Sequence, residues 1–211
     1  MTDASLLLLQ YGRKMHAAGL TTGSGGNLSM RVQDGVLITP SAMDYGDMGV
    51  DDLVLVDLDG RVLQGRRKPS SELDFHLCLY GARPDIRAVV HTHSPWVTTL
   101  ACLGWPLPAV HYLVGFAERS EVPVAPYATF GTSELAEQVV RGMVGGKALI
   151  LANHGLVAIG TDLKEAFNIA EEIEFVAGVY LRAKAVGEPV ILDEKAMGPV
   201  LTKFRSYRNP L

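Results

Sequence analysis

Short β-branched runs separated by turn residues are the feature of this sequence that most constrains its fold. Three of them follow one another early in the chain, at 35-GVLITP-40, 52-DLVLVDL-58 and 61-RVLQG-65. The last two are joined through Asp59 and Gly60, a dipeptide that favours tight hairpin turns. Antiparallel hairpins are therefore expected in the first part of the fold.

Segments with apolar residues at helical spacing lie between the extended runs. Helices are predicted at 4–18, 70–84, 96–103, 133–143 and 161–186, and further strands at 87–93, 109–114, 147–153 and 155–160. The longest helix opens at Asp162, which fits a capping box with Glu165. Hairpins that alternate with helices predict an α/β or α+β layered domain around a mostly antiparallel sheet.

Composition and charge narrow the classes of function. Of 211 residues, 48% are apolar and 20% are charged, which is typical of a globular protein that forms one domain over residues 1–211. A net charge of −4 speaks against nucleic acid or a membrane as a partner. The acidic start of the chain does not resemble a signal peptide, so a cytoplasmic location is expected. Cys78 and Cys102 lack metal-type spacing and are predicted to be buried small side chains.

The stretch 89-VVHTHSPW-96 contains two histidines at the end of an apolar run. Residues i and i+2 of a strand point to the same face, so His91 and His93 could grip a divalent metal through neutral imidazoles. The alternative is two polar residues that happen to alternate at a strand end. His154 follows the strand at 147–153 and could complete a three-histidine site, or it could be an ordinary turn residue. His16 and His76 are interpreted as structural.

Three further segments are suited to a phosphate group. The loop 24-SGGNLS-29 has glycines that permit close backbone approach, 39-TPSA-42 has two hydroxyls, and Ser70-Ser71 stand at a predicted helix N-terminus. Each has an ordinary alternative, because glycine-rich loops and helix-capping serines are common. Glu72 could likewise only offset the dipole of the helix.

Taken in order, these motifs resemble those of the class II aldolase/adducin family. The matching stretches are SGGN, LITPS, SSE, HTH, HYLVG, PVAPYATFGT and NHG, and they cover nearly the whole chain. The part from His111 to Thr132 is most similar to bacterial L-fuculose-1-phosphate aldolases. The resemblance implies a three-layer α/β/α fold. It also implies reversible cleavage of a ketose 1-phosphate to dihydroxyacetone phosphate and an aldehyde through an enediolate.

The resemblance also assigns roles to residues. It implies a Zn²⁺ cofactor held by His91, His93 and His154, with Glu72 as the acid/base residue. The phosphate of a sugar substrate would lie against residues of the three loops, namely Gly26, Asn27, Ser41, Ala42, Ser70 and Ser71. Tyr112 would donate a proton in the site of a neighbouring subunit of a homotetramer. The segment 204-FRSYRNPL-211, with Tyr207, would close over the site.

Two positions separate the branches of the family. Aldolases often have glycine where this chain has Ala42, which puts the approach of the phosphate in question there. Related sugar-phosphate 4-epimerases have aspartate where Glu72 stands, so glutamate favours the aldolase branch. The alternatives that stay open are a 4-epimerase or decarboxylase, an aldolase for 5-deoxy- or methylthio-ribulose 1-phosphate, a non-catalytic adducin-like module and a zinc hydrolase.

Overall fold

A central mixed sheet organises the computed structural model, which describes residues 2–208 apart from the side chains of residues 2, 207 and 208. The strands are β1 Asn27–Val32, β2 Gly35–Ile38, β3 Val54–Val56, β4 Val62–Gln64, β5 Ala88–Thr92, β6 Leu107–Pro108, β7 Glu121–Val122, β8 Val124–Ala125, β9 Ala148–Leu151 and β10 Gly155–Gly160. Eight of them form one sheet in the order β4-β3-β2-β1-β5-β10-β9-β8. Its neighbours pair antiparallel except β8 and β9, and β6 pairs separately with β7.

Helices cover both faces of this sheet. They are α1 Thr2–Ala17, α2 Leu73–Ala82, α3 Pro95–Leu103, α4 Ser133–Gly142, α5 Leu163–Val186 and α6 Glu194–Arg208. Helices α1, α3 and α5 share one buried apolar cluster with the sheet, whereas α2 and α4 share a second cluster on the opposite face. The three-layer α/β/α class with a mostly antiparallel sheet is thus confirmed. Among the described residues, no helix is long and apolar enough to cross a bilayer.

Successive side chains along a strand point alternately into the two apolar clusters. In β2, Val36 and Ile38 belong to the cluster under α2 and α4, while Leu37 belongs to the opposite one. In β5, Val89 faces α2 and Val90 faces away. Because side chains alternate with a period of two, the odd-numbered positions that follow Val89 also face α2.

Two expectations from the sequence are wrong. Residues 109–114 do not form a strand; a 3-10 helix spans Tyr112–Ala117 and buries Val114 and Ala117, three residues apart, as its tight repeat requires. The cysteines are not buried. Cys78 and Cys102 are exposed, because α2 and α3 direct other faces into the core.

The ends of several elements also differ from expectation. Helix α2 begins at Leu73, so Ser70 and Ser71 precede it and Glu72 is its N-cap residue. Strand β9 ends at Leu151, before the predicted 153. The Asp162 side chain caps α5 by accepting from the Glu165 backbone N–H. Helix α6 was not predicted, and its Phe204 packs on Phe116 with ring centroids 4.6 Å apart.

Candidate active site

Three histidines converge at one edge of the central sheet. His91 lies in β5 and His93 follows it by two residues, so both face α2 as the strand period predicts. His154 lies in the tight turn between β9 and β10, where Asn153 has a positive φ of 55°. The Nε2 atom of His91 lies 3.0 Å from Nε2 of His93 and 3.2 Å from Nε2 of His154. The three imidazoles therefore point at a common centre.

Glu72 completes this cluster from the opposite side. Its Oε2 lies 3.1 Å from His91 Nε2 and its Oε1 lies 3.3 Å from His154 Nε2. The residue stands at the N-cap of α2, but its carboxylate makes no capping hydrogen bond there. The carboxylate instead turns toward the histidines, so compensation of the helix dipole is not its only interaction. Oε1 is buried and has no hydrogen-bond partner among the described residues.

The donor set fits a divalent metal ion. One ligand atom from each of Glu72, His91, His93 and His154 lies within 4.8 Å of the others. Nitrogens bound at about 2.05 Å to one tetrahedral ion would be about 3.3 Å apart, close to the observed separations. The Nδ1 of His91 lies 2.9 Å from the Leu156 carbonyl oxygen, so it donates there and leaves the Nε2 lone pair for a metal.

The protonation states of Glu72, His93 and His154 suit metal binding. Burial, reinforced by His91, lowers the pKa of His93 to about 3 and that of His154 to about 4. Burial raises the pKa of Glu72, but His91, His154 and an Asn27 hydrogen bond outweigh it and hold that pKa below its usual range. Near neutral pH, these two imidazoles are therefore neutral and the carboxylate is anionic. Burial lowers the pKa of His91, but Glu72 and the Leu156 carbonyl outweigh it and raise that pKa, so His91 would release a proton when a metal binds.

A buried histidine behind the cluster predicts how stability depends on pH. Burial lowers the pKa of His76 to about 3, from 6.5 in an exposed chain. The unfolded state binds this proton first, so stability is lost as pH falls below the unfolded pKa. Between about pH 8 and pH 5, metal-free wild type should lose about 2 kcal/mol of unfolding free energy more than His76→Leu. Urea denaturation checks this, and equal pH slopes for both proteins would contradict it.

The cluster opens into a cavity of about 320 Å³. Its lining comes from the three phosphate-type loops, Glu72, two of the histidines and one phenylalanine: Ser24, Gly25, Gly26, Asn27, Pro40, Ser41, Ala42, Ser70, Ser71, Glu72, His93, Phe130 and His154. The structure thus brings together every predicted phosphate residue. No lysine or arginine belongs to this described lining, so an anion would depend on hydroxyl, amide and backbone N–H donors.

Backbone contacts explain why the loops meet. An antiparallel bridge joins Pro40 to Pro69, and the Ser70 N–H donates to the Thr39 carbonyl at 3.1 Å. The hydroxyl loop thereby lies beside the serine pair. Gly26 has a φ of +67°, and a Cβ there would lie 2.5 Å from the His91 carbonyl oxygen. Only glycine permits the first loop to lie this close to the histidine strand.

Ala42 carries strain that glycine would not. Its φ of +54° is in the left-handed region, which costs a residue with a Cβ about 1 kcal/mol. We expect Ala42→Gly to stay within about 1 kcal/mol of wild type, because relief of strain offsets added freedom of the unfolded chain. Ala42→Val should lose about 1–3 kcal/mol, because a β-branched side chain fits that region poorly. Chemical denaturation measures the free energy of unfolding of both variants. Equal values for Ala42→Val and Ala42→Gly would contradict the prediction.

Tyr112 lies outside this cavity in its own chain. Its side chain is 48% exposed, and its ring stacks on Phe204 at 6.2 Å. The side chain of Tyr207 lies outside the described residues. Phe130, 64% exposed at the cavity mouth, was missed from the sequence although it lies within a recognised motif. Nothing in its local pattern distinguishes it from its neighbour Tyr127, which is also exposed.

Comparisons with known proteins agree with this geometry. Residues 7–181 match the model of the class II aldolase and adducin N-terminal domain family. The chain is 50% identical over 202 residues to a 5-deoxy-D-ribulose 1-phosphate aldolase of Bacillus thuringiensis serovar kurstaki, covering 95% of this chain and 94% of the relative.

Two further relatives show the same pattern. A 5-methylthioribulose-1-phosphate/5-deoxyribulose-1-phosphate aldolase of Rhodospirillum rubrum is 46% identical, with 95% of this chain and 90% of that protein covered. A solved structure of an L-fuculose 1-phosphate aldolase superposes with a TM-score of 0.94 at 43% identity, and 97% of each chain is covered.

Proposed function

The chain belongs to the class II aldolase and adducin family and is an enzyme of the aldehyde-lyase class, and from that premise we propose that it reversibly cleaves a ketose 1-phosphate into dihydroxyacetone phosphate and an aldehyde. The observation that carries this proposal is the position of the His/Glu cluster, which adjoins a cavity lined by hydroxyls and glycines. An ionised sugar phosphate needs such hydrogen-bond donors beside the reacting carbons.

The cofactor that we propose is Zn²⁺, with His91, His93 and His154 as its ligands. Three imidazoles and an adjacent carboxylate favour zinc over the harder ions, which prefer oxygen ligands. When bound, the ion supplies a Lewis acid that stabilises the negative charge on the C2 oxygen as the C3–C4 bond breaks. Three protein nitrogens also leave room for substrate oxygens, which a closed structural site would not.

Glu72 handles the proton at C3 in this proposal. In the cleavage direction, the enediolate left after the C3–C4 bond breaks must gain a proton at C3. In the synthesis direction, the same proton must be removed from dihydroxyacetone phosphate. Oε1 of Glu72 makes no hydrogen bond among the described residues and faces the histidine cluster, so it can carry this proton. The hydroxyl loops hold the phosphate and so fix C3 relative to that oxygen.

The hydroxyl at C4 needs a separate acid/base group, and we assign it to Tyr112 of a neighbouring copy in a homotetramer. The exposure of Tyr112 and its distance from its own cavity suit contact with another subunit. The phenol would take the C4 hydroxyl proton as the aldehyde forms and return it in synthesis. Active sites between subunits follow from this assignment, and a cytoplasmic location is proposed separately.

For the aldehyde half, we infer a short chain that ends in a deoxy carbon. Relatives at 50% and 46% identity are named for 5-deoxyribulose 1-phosphate, and the solved structure at 43% is named for L-fuculose 1-phosphate. Both substrates share the phosphorylated three-carbon half and end in a methyl group. We place 5-deoxyribulose 1-phosphate first, and L-fuculose 1-phosphate is the second candidate.

Product analysis tests the proposal directly. Zinc-loaded protein is incubated with each of these ketose 1-phosphates and with 5-methylthioribulose 1-phosphate. Dihydroxyacetone phosphate is then measured by a coupled reduction. Acetaldehyde should accompany it from 5-deoxyribulose 1-phosphate, and lactaldehyde from L-fuculose 1-phosphate. Epimerised sugar phosphate without any triose phosphate would instead show a 4-epimerase and overturn the aldolase proposal.

A further inference from the structure

A chain of hydrogen bonds runs from Glu72 into the layer between helix α2 and the sheet. The Asn27 Nδ2 atom lies 2.9 Å from Glu72 Oε2, and Asn27 Oδ1 lies 2.5 Å from His76 Nε2. Beyond the imidazole, His76 Nδ1 lies 2.7 Å from Ser29 Oγ, which lies 2.8 Å from the Tyr80 hydroxyl. All five residues are 5% exposed or less.

The residue spacing on helix α2 and strand β1 places these five side chains next to one another. Glu72, His76 and Tyr80 are spaced by four residues and share one face of α2 and its N-cap. Asn27 and Ser29 are spaced by two and share one face of β1. Side chains from the helix and the strand therefore alternate along the chain of hydrogen bonds. His76 is also stacked on Phe75, with ring centroids 4.5 Å apart and planes 19° from parallel, so its ring has little room to turn.

The chemistry of each group fixes the direction of every hydrogen bond. An ionised carboxylate only accepts, so the Asn27 amide must present its N–H to Glu72 and its oxygen to His76. His76 Nε2 must then carry a proton. Because burial keeps this imidazole neutral, its Nδ1 accepts the hydroxyl proton of Ser29. Ser29 in turn accepts from Tyr80, whose hydroxyl also makes a hydrogen bond with the backbone of Val89.

Glu72 holds only one end of the Asn27 amide, because the buried Asn27 Oδ1 takes its hydrogen bond from His76 Nε2. Without His76, that oxygen would be buried without a donor, and the amide would tilt away from the carboxylate in search of another partner. The N–H of His76 therefore holds the amide from the side opposite Glu72. On the proposed aldolase function, we propose that His76 is a positioning residue that locks the Asn27 amide, so that Asn27 holds Glu72 Oε2 while Oε1 stays free for the C3 proton.

The imidazole tautomer gives a test that does not depend on turnover. Nitrogen-15 spectra of histidine-labelled protein, with and without zinc, should show His76 protonated at Nε2 and bare at Nδ1. The signal is assigned by its loss in His76→Gln. This result supports the positioning role even if no ketose phosphate is cleaved. A proton on Nδ1 instead of Nε2 would overturn the proposal, because His76 would then have no N–H to donate to the Asn27 oxygen.

Kinetics on the same protein test the consequence. His76→Leu should lower kcat about 10- to 100-fold with a small change in KM and with full zinc content, as loss of an outer hydrogen-bond partner does. His76→Gln keeps an N–H donor on a flexible chain and should recover part of kcat. The matched control is Ile86→Val, a change in the same buried cluster without polar contacts.

Both kinetic outcomes are informative when wild type cleaves its substrate. The positioning role is supported if His76→Leu lowers kcat, His76→Gln recovers part of it and Ile86→Val keeps the wild-type kcat. A His76→Leu enzyme with wild-type kcat, or with zinc lost in step with activity, would refute it while leaving the aldolase function intact. A wild type without any cleavage would refute the aldolase function alone, since the tautomer measurement still stands.

Discussion

Glu72→Gln should keep its metal and lose turnover by about 10²- to 10⁴-fold, the range that a positioned general acid or base contributes. Glutamine has nearly the same shape and can still contact Asn27 and the histidines, so the fold and the three imidazoles stay in place. It cannot carry the proton at C3. Zinc content per chain and kcat with saturating ketose 1-phosphate measure the two effects separately.

Glu137→Gln is the matched control for this change. Glu137 is exposed on α4, away from the residues that line the cavity, so the same loss of a carboxylate should leave kcat unchanged. If Glu72→Gln retained wild-type turnover, the proton assigned to Glu72 would have to move through another group. Loss of zinc in this variant would mean that Glu72 acts mainly as a metal ligand.

His93→Ala should lose metal and activity together. The residue provides one of three converging nitrogens, and alanine leaves an ion with two imidazoles and a carboxylate. Substitution of a residue that only hydrogen-bonds to a metal ligand lowers metal affinity by up to about 100-fold. Loss of the ligand His93 itself should lower zinc affinity by more than that. Turnover should fall by about 10³-fold, because stabilisation of the developing charge is worth several kcal/mol. Competition with a fluorescent zinc chelator measures the affinity.

His16→Ala is the control for the removal of a histidine. His16 is exposed on α1, which covers the opposite face of the sheet from α2, and should keep both metal and turnover when replaced. Wild-type zinc affinity in His93→Ala would show that His93 is not a ligand. Activity that persists after its zinc is gone would separate the metal from the reaction.

The sequence predicts the parts of this site that depend on local periods. His91 and His93 face the same way because a strand alternates, and this needs only the two-residue spacing. The continuous apolar run of β2 likewise predicts one strand with two buried faces. The strand predicted at 109–114 failed because its apolar residues fit a 3-10 repeat equally well, with Val114 and Ala117 three apart.

Contacts between distant segments could not be predicted from the residues alone. His154 reaches the cluster only because β10 pairs with β5, and nothing in its own turn indicates a ligand. The hydroxyl loop and the serine pair meet through the Pro40–Pro69 bridge. The position of His76 on a helix predicts only a structural role, because a helix pattern gives no sign of which strand lies beneath it. The family resemblance supplied the pairing that local patterns lacked.

The most direct test of the proposed mechanism is to measure zinc content and turnover on the same protein. Protein purified without chelator is analysed for zinc, then stripped with a chelator, assayed with 5-deoxyribulose 1-phosphate, and assayed again after zinc is restored. We predict about one zinc per chain, loss of cleavage when the ion is removed, and recovery when it returns. A stripped protein that cleaves the substrate at the wild-type rate would show that an ion bound by the three imidazoles is not needed for the reaction, and would contradict the proposed mechanism.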